Sequence, residues 1–267
     1  DILNFAFMAF GADGAVFPTL TYSFYPVFAN LHGVAYETVP LREDFTLDVA
    51  GMQGKGKLTV FPNPNAPTGI ALPLDQVEAI VASNPEHVVV VDEAYVDFGA
   101  DSAVPLLQKY DNLLVVMTYS KSRSMAGARL GFALGSRALI QDLEKLKYST
   151  NPYNVNRLTL KLGAAAVDSD GYFREKAREI MATREKTAQA LRAMGFTLPD
   201  SQANFLFVAH PKVAGETLYR KGKEKGVLIR HFSDPAIAAY NRVTIGTPAE
   251  MEAFLAVVQT ILKEEGA

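Results

Sequence analysis

The chain has 267 residues, enough for one large domain or two modest ones with real cores. Its 49% hydrophobic and 21% charged residues are ordinary for a globular protein, and a formal net charge of −3 leaves no basic field to recruit nucleic acid or an anionic membrane. The absence of cysteine excludes disulfides, thiolate zinc sites and cysteine nucleophiles, and no run approaches the roughly 20 apolar residues of a membrane span.

Residues 2–10 are apolar but lack a basic flank and a cleavage pattern, which argues for the inside of a helix and against a signal peptide. A start at Asp1-Ile2-Leu3-Asn4-Phe5, without methionine, leads us to expect sequence upstream. Residues 33–41 read as a strand and 58–61 as a second. Leu74, Val77 and Ile80 then mark a helix face at three-residue spacing. The run 87–91 is continuously apolar after its first residue, as expected of a strand buried on both faces. Residues 113–119 form another such run, and 130–134 a shorter one. Strands alternating with helices predict an α/β domain over residues 1–150, with a mostly parallel sheet covered by helices on both faces.

The pattern changes after Thr150. Residues 153–195 carry long helical periodicity, with charged faces such as Arg174, Glu175, Lys176 and Arg178. Strand candidates follow at 204–208, 227–232 and 242–245. Thr247-Pro248-Ala249-Glu250 is a capping box with proline at the first helical position, after which Met251, Phe254, Val258 and Ile261 share one face. Residues 151–267 are expected to form a smaller C-terminal α+β domain that includes the long connecting helix.

In an open α/β sheet, ligands bind beyond the carboxyl ends of the strands. There the sequence sets Asn63-Pro64-Asn65-Ala66-Pro67-Thr68-Gly69, then Asp92-Glu93-Ala94-Tyr95, then Thr118-Tyr119-Ser120-Lys121-Ser122-Arg123, with Arg129 eight residues beyond the lysine. One crevice would thus collect an acid, a phenol, a lysine, hydroxyls and an arginine. Each has a bland alternative. An acid at a strand end is usually a cap or turn former, a lysine there is usually solvated, and Arg129 alone could be a surface ion-pair partner. The ordered set is what carries weight. A pyridoxal-phosphate group needs such a set: an amine for its aldehyde, a carboxylate for its pyridine nitrogen, and hydroxyls with a guanidinium for its phosphate.

These motifs, with Gly127-Ala128-Arg129-Leu130-Gly131, resemble those of the fold-type I pyridoxal-phosphate enzymes, and among them of the histidinol-phosphate aminotransferases, from Tyr22 to the terminal helix. The resemblance implies that Lys121 carries the cofactor covalently and shuttles the proton. It implies that Asp92 pairs with the pyridine nitrogen, that Tyr95 bonds the ring's phenolic oxygen, and that Thr118, Ser120 and Arg129 hold the phosphate. Tyr22 is similar to the aromatic residue that stacks on the ring. Arg242, which opens Arg242-Val243-Thr244-Ile245-Gly246-Thr247, is similar to the arginine that grips a substrate carboxylate. Arg230 is similar to a second arginine that meets the phosphate of histidinol phosphate. The structural alternative for both arginines is a surface ion pair. The resemblance further implies a cytoplasmic homodimer acting on a small amino donor and a 2-oxo acid in amino-acid biosynthesis.

Two departures stand out. The family commonly has asparagine directly before Pro-Thr-Gly, where this chain has Ala66, so Asn65 or Tyr95 must supply the contact to the ring oxygen. The family's Gly-Asn-Gly-Ser-Asp phosphate turn is represented only by Asp1. The motifs leave open an aromatic amino-acid aminotransferase, a decarboxylase of a phosphorylated amino acid, and a non-catalytic protein that keeps the fold. Loss of Lys121, Asp92 or Arg129 would favour the last, and all three are present. His32, His87, His210 and His231 show no metal-ligand spacing, although His231 is placed next to Arg230, where it could line a substrate pocket.

Overall fold

The computed structural model describes residues 1–267. Its elements run α1 (Ile2–Phe10), β1 (Ala15–Pro18), α2 (Phe24–Leu31), β2 (Tyr36–Val39), α3 (Val49–Met52), β3 (Leu58–Pro62), α4 (Leu74–Ala82), β4 (Val89–Asp92), β5 (Leu113–Thr118), β6 (Gly131–Gly135), α5 (Arg137–Thr150), α6 (Arg157–Asp168), α7 (Asp170–Ala193), β7 (Phe205–Ala209), α8 (Gly215–Glu224), β8 (Arg230–His231), β9 (Tyr240–Thr244) and α9 (Pro248–Glu264).

Six strands form one sheet in the order β2-β1-β3-β4-β5-β6. All neighbours are parallel except the β5–β6 pair. The inner strands β1, β3, β4 and β5 are covered on both sides because their residues are almost all apolar and successive side chains alternate in direction. Val16, Phe61, Val89, Val91, Leu113 and Val115 join Val77 and Ile80 of α4 in one hydrophobic cluster. Phe17, Leu58, Val60, Val90, Leu114 and Val116 join Phe5 and Phe7 of α1, Tyr25 of α2 and Leu143 of α5 in the other.

A second sheet has the order β7-β9-β8 and is wholly antiparallel. It has its own core, in which Leu206, Val208 and Val243 pack against Leu191 of α7 and against Met251, Phe254, Val258 and Ile261 of α9. The start signals of α9 are as the sequence predicts: Thr247 accepts from the Glu250 backbone, Glu250 reaches back to Thr247, and Pro248 is the first helical residue.

The two sheets are tied by specific polar contacts. The buried Arg184 of α7 donates through Nη1 to Phe98 O at 2.9 Å and to Ala203 O at 2.8 Å. Gly69 N–H and Gly69 C=O fix the turn after β3, the carbonyl accepting from Gln202 N at 2.7 Å. Gly69 sits at φ 81°, and a Cβ there would lie 2.3 Å from Ser201 Oγ, so only glycine fits this joint.

Candidate active site

The winding of the large sheet reverses between β1 and β3: β2 lies outside β1 on one side, while β4, β5 and β6 follow β3 on the other. A crevice is expected beyond the carboxyl ends of the strands at such a reversal. Asn65 spans it, donating through Nδ2 to Leu20 O, in the loop after β1, at 3.2 Å, and to Thr68 Oγ1 at 3.1 Å. Its Oδ1 is buried without a partner. The donor atoms that a ring oxygen would need are therefore committed to the loop, and the amide's first task here is to join the two strand ends.

Asp92 is the last residue of β4 and is buried. Tyr25 Oη donates to its Oδ2 at 3.0 Å, and the Ala94 backbone N–H donates to its Oδ1 at 3.2 Å. Burial pushes the Asp92 carboxyl up to about 6, against the pull of those two hydrogen bonds and of the Lys121 charge. Its neighbour Glu93 is also buried and is pushed up to about 7, first by burial. Glu93 is occupied elsewhere, accepting from Ser102 Oγ at 2.6 Å and Ala103 N at 2.5 Å, and it anchors the 102–103 loop.

Lys121 lies in the loop after β5, with Nζ 5.2 Å from the centre of the Tyr95 ring. Tyr22 lies in the same electrostatic neighbourhood. Burial raises its phenol, the charges of Asp92 and Tyr95 raise it further, and Arg129 opposes them. The Tyr22 ring stacks on Phe24 at 5.6 Å and stands edge-on to Tyr25 at 5.6 Å. The structure thus brings Tyr22, Asp92, Tyr95, Lys121 and Arg129 to one place.

The other end of the crevice is built for an anion. Thr118 Oγ1 accepts from Ser120 N at 3.1 Å, which turns the chain and sets both hydroxyls at the end of β5. Arg129 occupies the left-handed region at φ 55°, an uncommon place for a non-glycine residue, and donates through Nη1 to Ala126 O at 3.0 Å. The N-terminal end of α1 lies nearby. Asp1, which precedes it, lies within the charge field of Arg129. A helix N-terminus beside a guanidinium and two hydroxyls suits a phosphate.

The second sheet faces this cluster. Arg230 and Arg242 are direct partners in the β8–β9 register, so their side chains leave the same face. Arg242 lies over the Phe205 ring at 5.0 Å and Arg230 over Phe232 at 5.6 Å. Phe205 in turn stands edge-on to Tyr95 at 5.1 Å. Arg230 is exposed and borders an open recess of about 390 Å³. His231 alternates to the other face. Its Nδ1 meets Asn241 Oδ1 at 3.2 Å and its ring stacks on Tyr219 of α8, and with Tyr219 it lines the same recess that Arg230 borders.

Residues 42–46 add a contact that the sequence reading missed. Asp44 Oδ1 accepts from Thr46 N at 3.0 Å and Thr46 Oγ1 at 2.6 Å, closing a turn. Phe45 sits in that turn at φ 65°, and its ring stands edge-on to Phe207 and Tyr240 of the second sheet. Tyr25 was missed as well. Its only sequence signal is a phenol inside an apolar helical run, which must find a partner for its hydroxyl.

A primary amine, a dry carboxylate, and hydroxyls with a guanidinium at a helix end form a donor set that fits pyridoxal phosphate. Thr21 Oγ1 and Asn65 Oδ1, by the crevice, and Arg242 Nε are buried with no protein partner, which leaves polar atoms available to a bound group. A family model described as aminotransferase class I and II matches residues 1–258. The histidinol-phosphate aminotransferase of Brachyspira hyodysenteriae is 46% identical over 266 residues, 98% of this chain and 75% of the relative. Histidinol-phosphate aminotransferase 1 of Bordetella parapertussis is 48% identical over the same shares of the two chains. Among solved structures, the histidinol-phosphate aminotransferase of Sinorhizobium meliloti, in complex with pyridoxal-5'-phosphate, superposes with a TM-score of 0.88 at 23% identity, over 98% of this chain and 74% of that one. The histidinol-phosphate aminotransferase from Clostridium acetobutylicum gives a TM-score of 0.90 at 20% identity, over 98% and 81%. At those identities the two structures speak for the fold.

Proposed function

The chain belongs to the class I and II aminotransferases, and from that premise we propose that it transfers an amino group from L-histidinol phosphate to 2-oxoglutarate, and back, in histidine biosynthesis. The other products are imidazole acetol phosphate and glutamate. The observation that carries the substrate assignment is the register of Arg230 with Arg242, which sets two guanidiniums on one face of the small sheet. Glutamate and 2-oxoglutarate present carboxylates, whereas histidinol phosphate presents a phosphate. Two forks side by side suit an enzyme that must grip both kinds of anion in turn.

When bound, pyridoxal phosphate supplies an aldehyde that takes up the amino group and a protonated ring that withdraws electrons. Lys121 Nζ is the covalent anchor and the group that moves the proton beside the ring. Asp92 holds the proton on the ring nitrogen. Asp92 would be held ionised by a positive charge bound beside it, against the upward push of burial. Tyr95 bonds the ring oxygen, with Asn65 bracing the loop behind it, and Tyr22 covers the ring face. Thr118, Ser120 and Arg129 hold the phosphate. Arg242 orients the substrate carboxylate and Arg230 the substrate phosphate.

We place the cofactor in a domain of residues 1–150 and the substrate arginines in a domain of residues 151–267. The separate hydrophobic clusters of the two sheets support this division. We also read the working unit as a homodimer. The apolar residues exposed around α6, Leu158 and Leu162 on one side and Leu160 and Val167 on the other, support covered faces there.

The function is tested by half-reaction kinetics with histidinol phosphate, phenylalanine and tyrosine as donors. We expect histidinol phosphate to react with the highest kcat/KM. Equal or better rates with the aromatic amino acids would replace this substrate by theirs.

A further inference from the structure

Tyr25 has no part in the roles above, yet it touches the two residues that would meet the cofactor's ring. We propose that Tyr25 is a positioning residue, whose hydroxyl orients the Asp92 carboxylate and keeps it ionised and whose ring seats Tyr22. The proposal rests on the reading that Asp92 meets the ring nitrogen and Tyr22 the ring face.

The geometry is specific. Tyr25 is fully buried in α2. Its ring stands edge-on to Phe17 at 5.8 Å and to Tyr22 at 5.6 Å, with Phe7 at 6.4 Å. Held between Phe7 and Phe17, the ring leaves its hydroxyl little freedom, and Oη meets Asp92 Oδ2 at 3.0 Å. Burial and the Asp92 charge hold the phenol well above its ordinary value, so Tyr25 remains a donor. With the Ala94 N–H on Oδ1, one lone-pair site on each carboxylate oxygen is filled from behind. An ionised carboxylate has about four such sites, so capacity remains for a donor arriving from the crevice.

The groups that share this field are Lys121, Tyr22, Tyr95 and Glu93, with Arg129 acting on Tyr22. Lys121 reaches Asp92 only through its charge, whereas Tyr25 bonds it directly. Removing that bond leaves the dry carboxylate with less reason to ionise. A tyrosine present merely to fill the core would have no such effect: replacing it by phenylalanine would alter stability and leave Asp92 as it was.

The test compares wild type, Tyr25→Phe and Tyr25→Leu. The Asp92 carboxyl is titrated by carbon-13 NMR in the cofactor-free full chain, and pyridoxal-phosphate dissociation and the pH profile of its visible absorption are measured in the holoenzyme. In Tyr25→Phe, the Asp92 midpoint should rise from about 6 by about one pH unit, and the cofactor should bind roughly ten-fold more weakly. Tyr25→Leu, which also removes the seat of Tyr22, should weaken binding further. An Asp92 midpoint and a cofactor affinity that both stay at wild-type values in Tyr25→Phe would overturn the proposal. A wild-type protein that takes up no pyridoxal phosphate would overturn the cofactor reading instead, and the proposal with it, while the Asp92 titration would still report the Tyr25 bond.

Discussion

Tyr95 stands edge-on to Phe205, their ring centres 5.1 Å apart, and this pair connects the lysine of the large sheet to an arginine of the small one. Lys121 Nζ lies over the Tyr95 ring, and the Arg242 guanidinium lies over the Phe205 ring. The spacing of Lys121 and Arg242 is thus set by two aromatic rings in contact. Phe205→Leu should keep the site dry but remove the surface on which Arg242 rests. A partly buried cation–π contact contributes on the order of 1 kcal/mol, so KM for glutamate should rise roughly three- to ten-fold. kcat should change little, because the lost contact orients bound substrate throughout the reaction. Steady-state kinetics check this, and an equal loss in cofactor affinity would show instead that Phe205 supports Tyr95.

Lys121→Ala should abolish transamination even with pyridoxal phosphate added in excess. In the proposed function the side chain is both anchor and acid–base, and general acid–base catalysis alone typically gives ~10²–10⁴-fold. Because Lys121 is half-buried at a loop and forms no hydrogen bond inside the core, the variant should fold normally. Single-turnover measurements on the folded variant provide the check. Wild-type turnover would remove Lys121 from the mechanism.

Asp92→Asn should trade chemistry for stability. The carboxyl lies at about 6 in the fold against an ordinary 3.8. A raised acid costs the folded state at any pH where the unfolded chain is already ionised, and here the cost is roughly 3 kcal/mol above pH ~6. It declines as pH falls from about 6, and below about 3.8 both states are protonated and it vanishes. An asparagine avoids this cost: its Oδ1 can accept from the Ala94 N–H and its Nδ2 can donate to the Tyr25 hydroxyl, which serves as donor or acceptor. The cofactor-free variant should therefore melt higher than wild type near pH 7.5, with the gap closing toward pH 4. The half-reaction should slow severely, because an amide does not hold the ring nitrogen protonated by charge. Glu93, raised for the same reason, is unchanged in the variant, so the difference reports on Asp92. A constant gap across pH would mean that Asp92 is ionised freely in the native state.

The sequence was most informative where burial is complete. β4 and β5 are covered on both faces, so their valines and leucines run unbroken and mark the strand ends that carry Asp92 and Lys121. Where the environment is asymmetric the reading blurs. The central strand β1 is only Ala15–Pro18, and its closing proline and the Gly11–Gly14 turn before it hide a strand that is fully buried. The expected strand over 33–41 shrinks to Tyr36–Val39, because it lies at the sheet edge and three of its four residues are exposed. β6 runs antiparallel, a reversal made by the loop with Arg129 in the left-handed region, and no residue pattern announces it. The long candidate at 227–232 pairs only at Arg230 and His231. The site divides in the same way. The residues proposed to meet the cofactor sit in short local motifs, whereas the pairs Tyr25–Asp92, Phe45–Phe207 and Phe205–Tyr95 join positions 67 or more apart, a relationship that exists only after folding.

Arg242 and Arg230 should divide the two substrates of the cycle. They leave one face of the small sheet as register partners, but their surroundings differ. Arg242 is partly buried over Phe205, with Nε unpaired, and is set to hold a carboxylate through its fork. Arg230 is exposed over Phe232 beside the open recess, where a bulkier phosphate has room. Arg242→Lys should weaken glutamate and 2-oxoglutarate, because an ammonium is a point charge and does not reproduce two parallel hydrogen bonds. Arg230→Ala should chiefly weaken histidinol phosphate. A charge-assisted hydrogen bond contributes about 1.5–3 kcal/mol, so the loss should be roughly ten-fold or more in affinity. Both half-reactions are measured for each variant. If Arg230→Ala harms the two halves equally, Arg230 is a structural residue or a second carboxylate ligand. If it harms neither, the phosphate has no partner at β8, and the aromatic amino acids become the better candidates for the substrate.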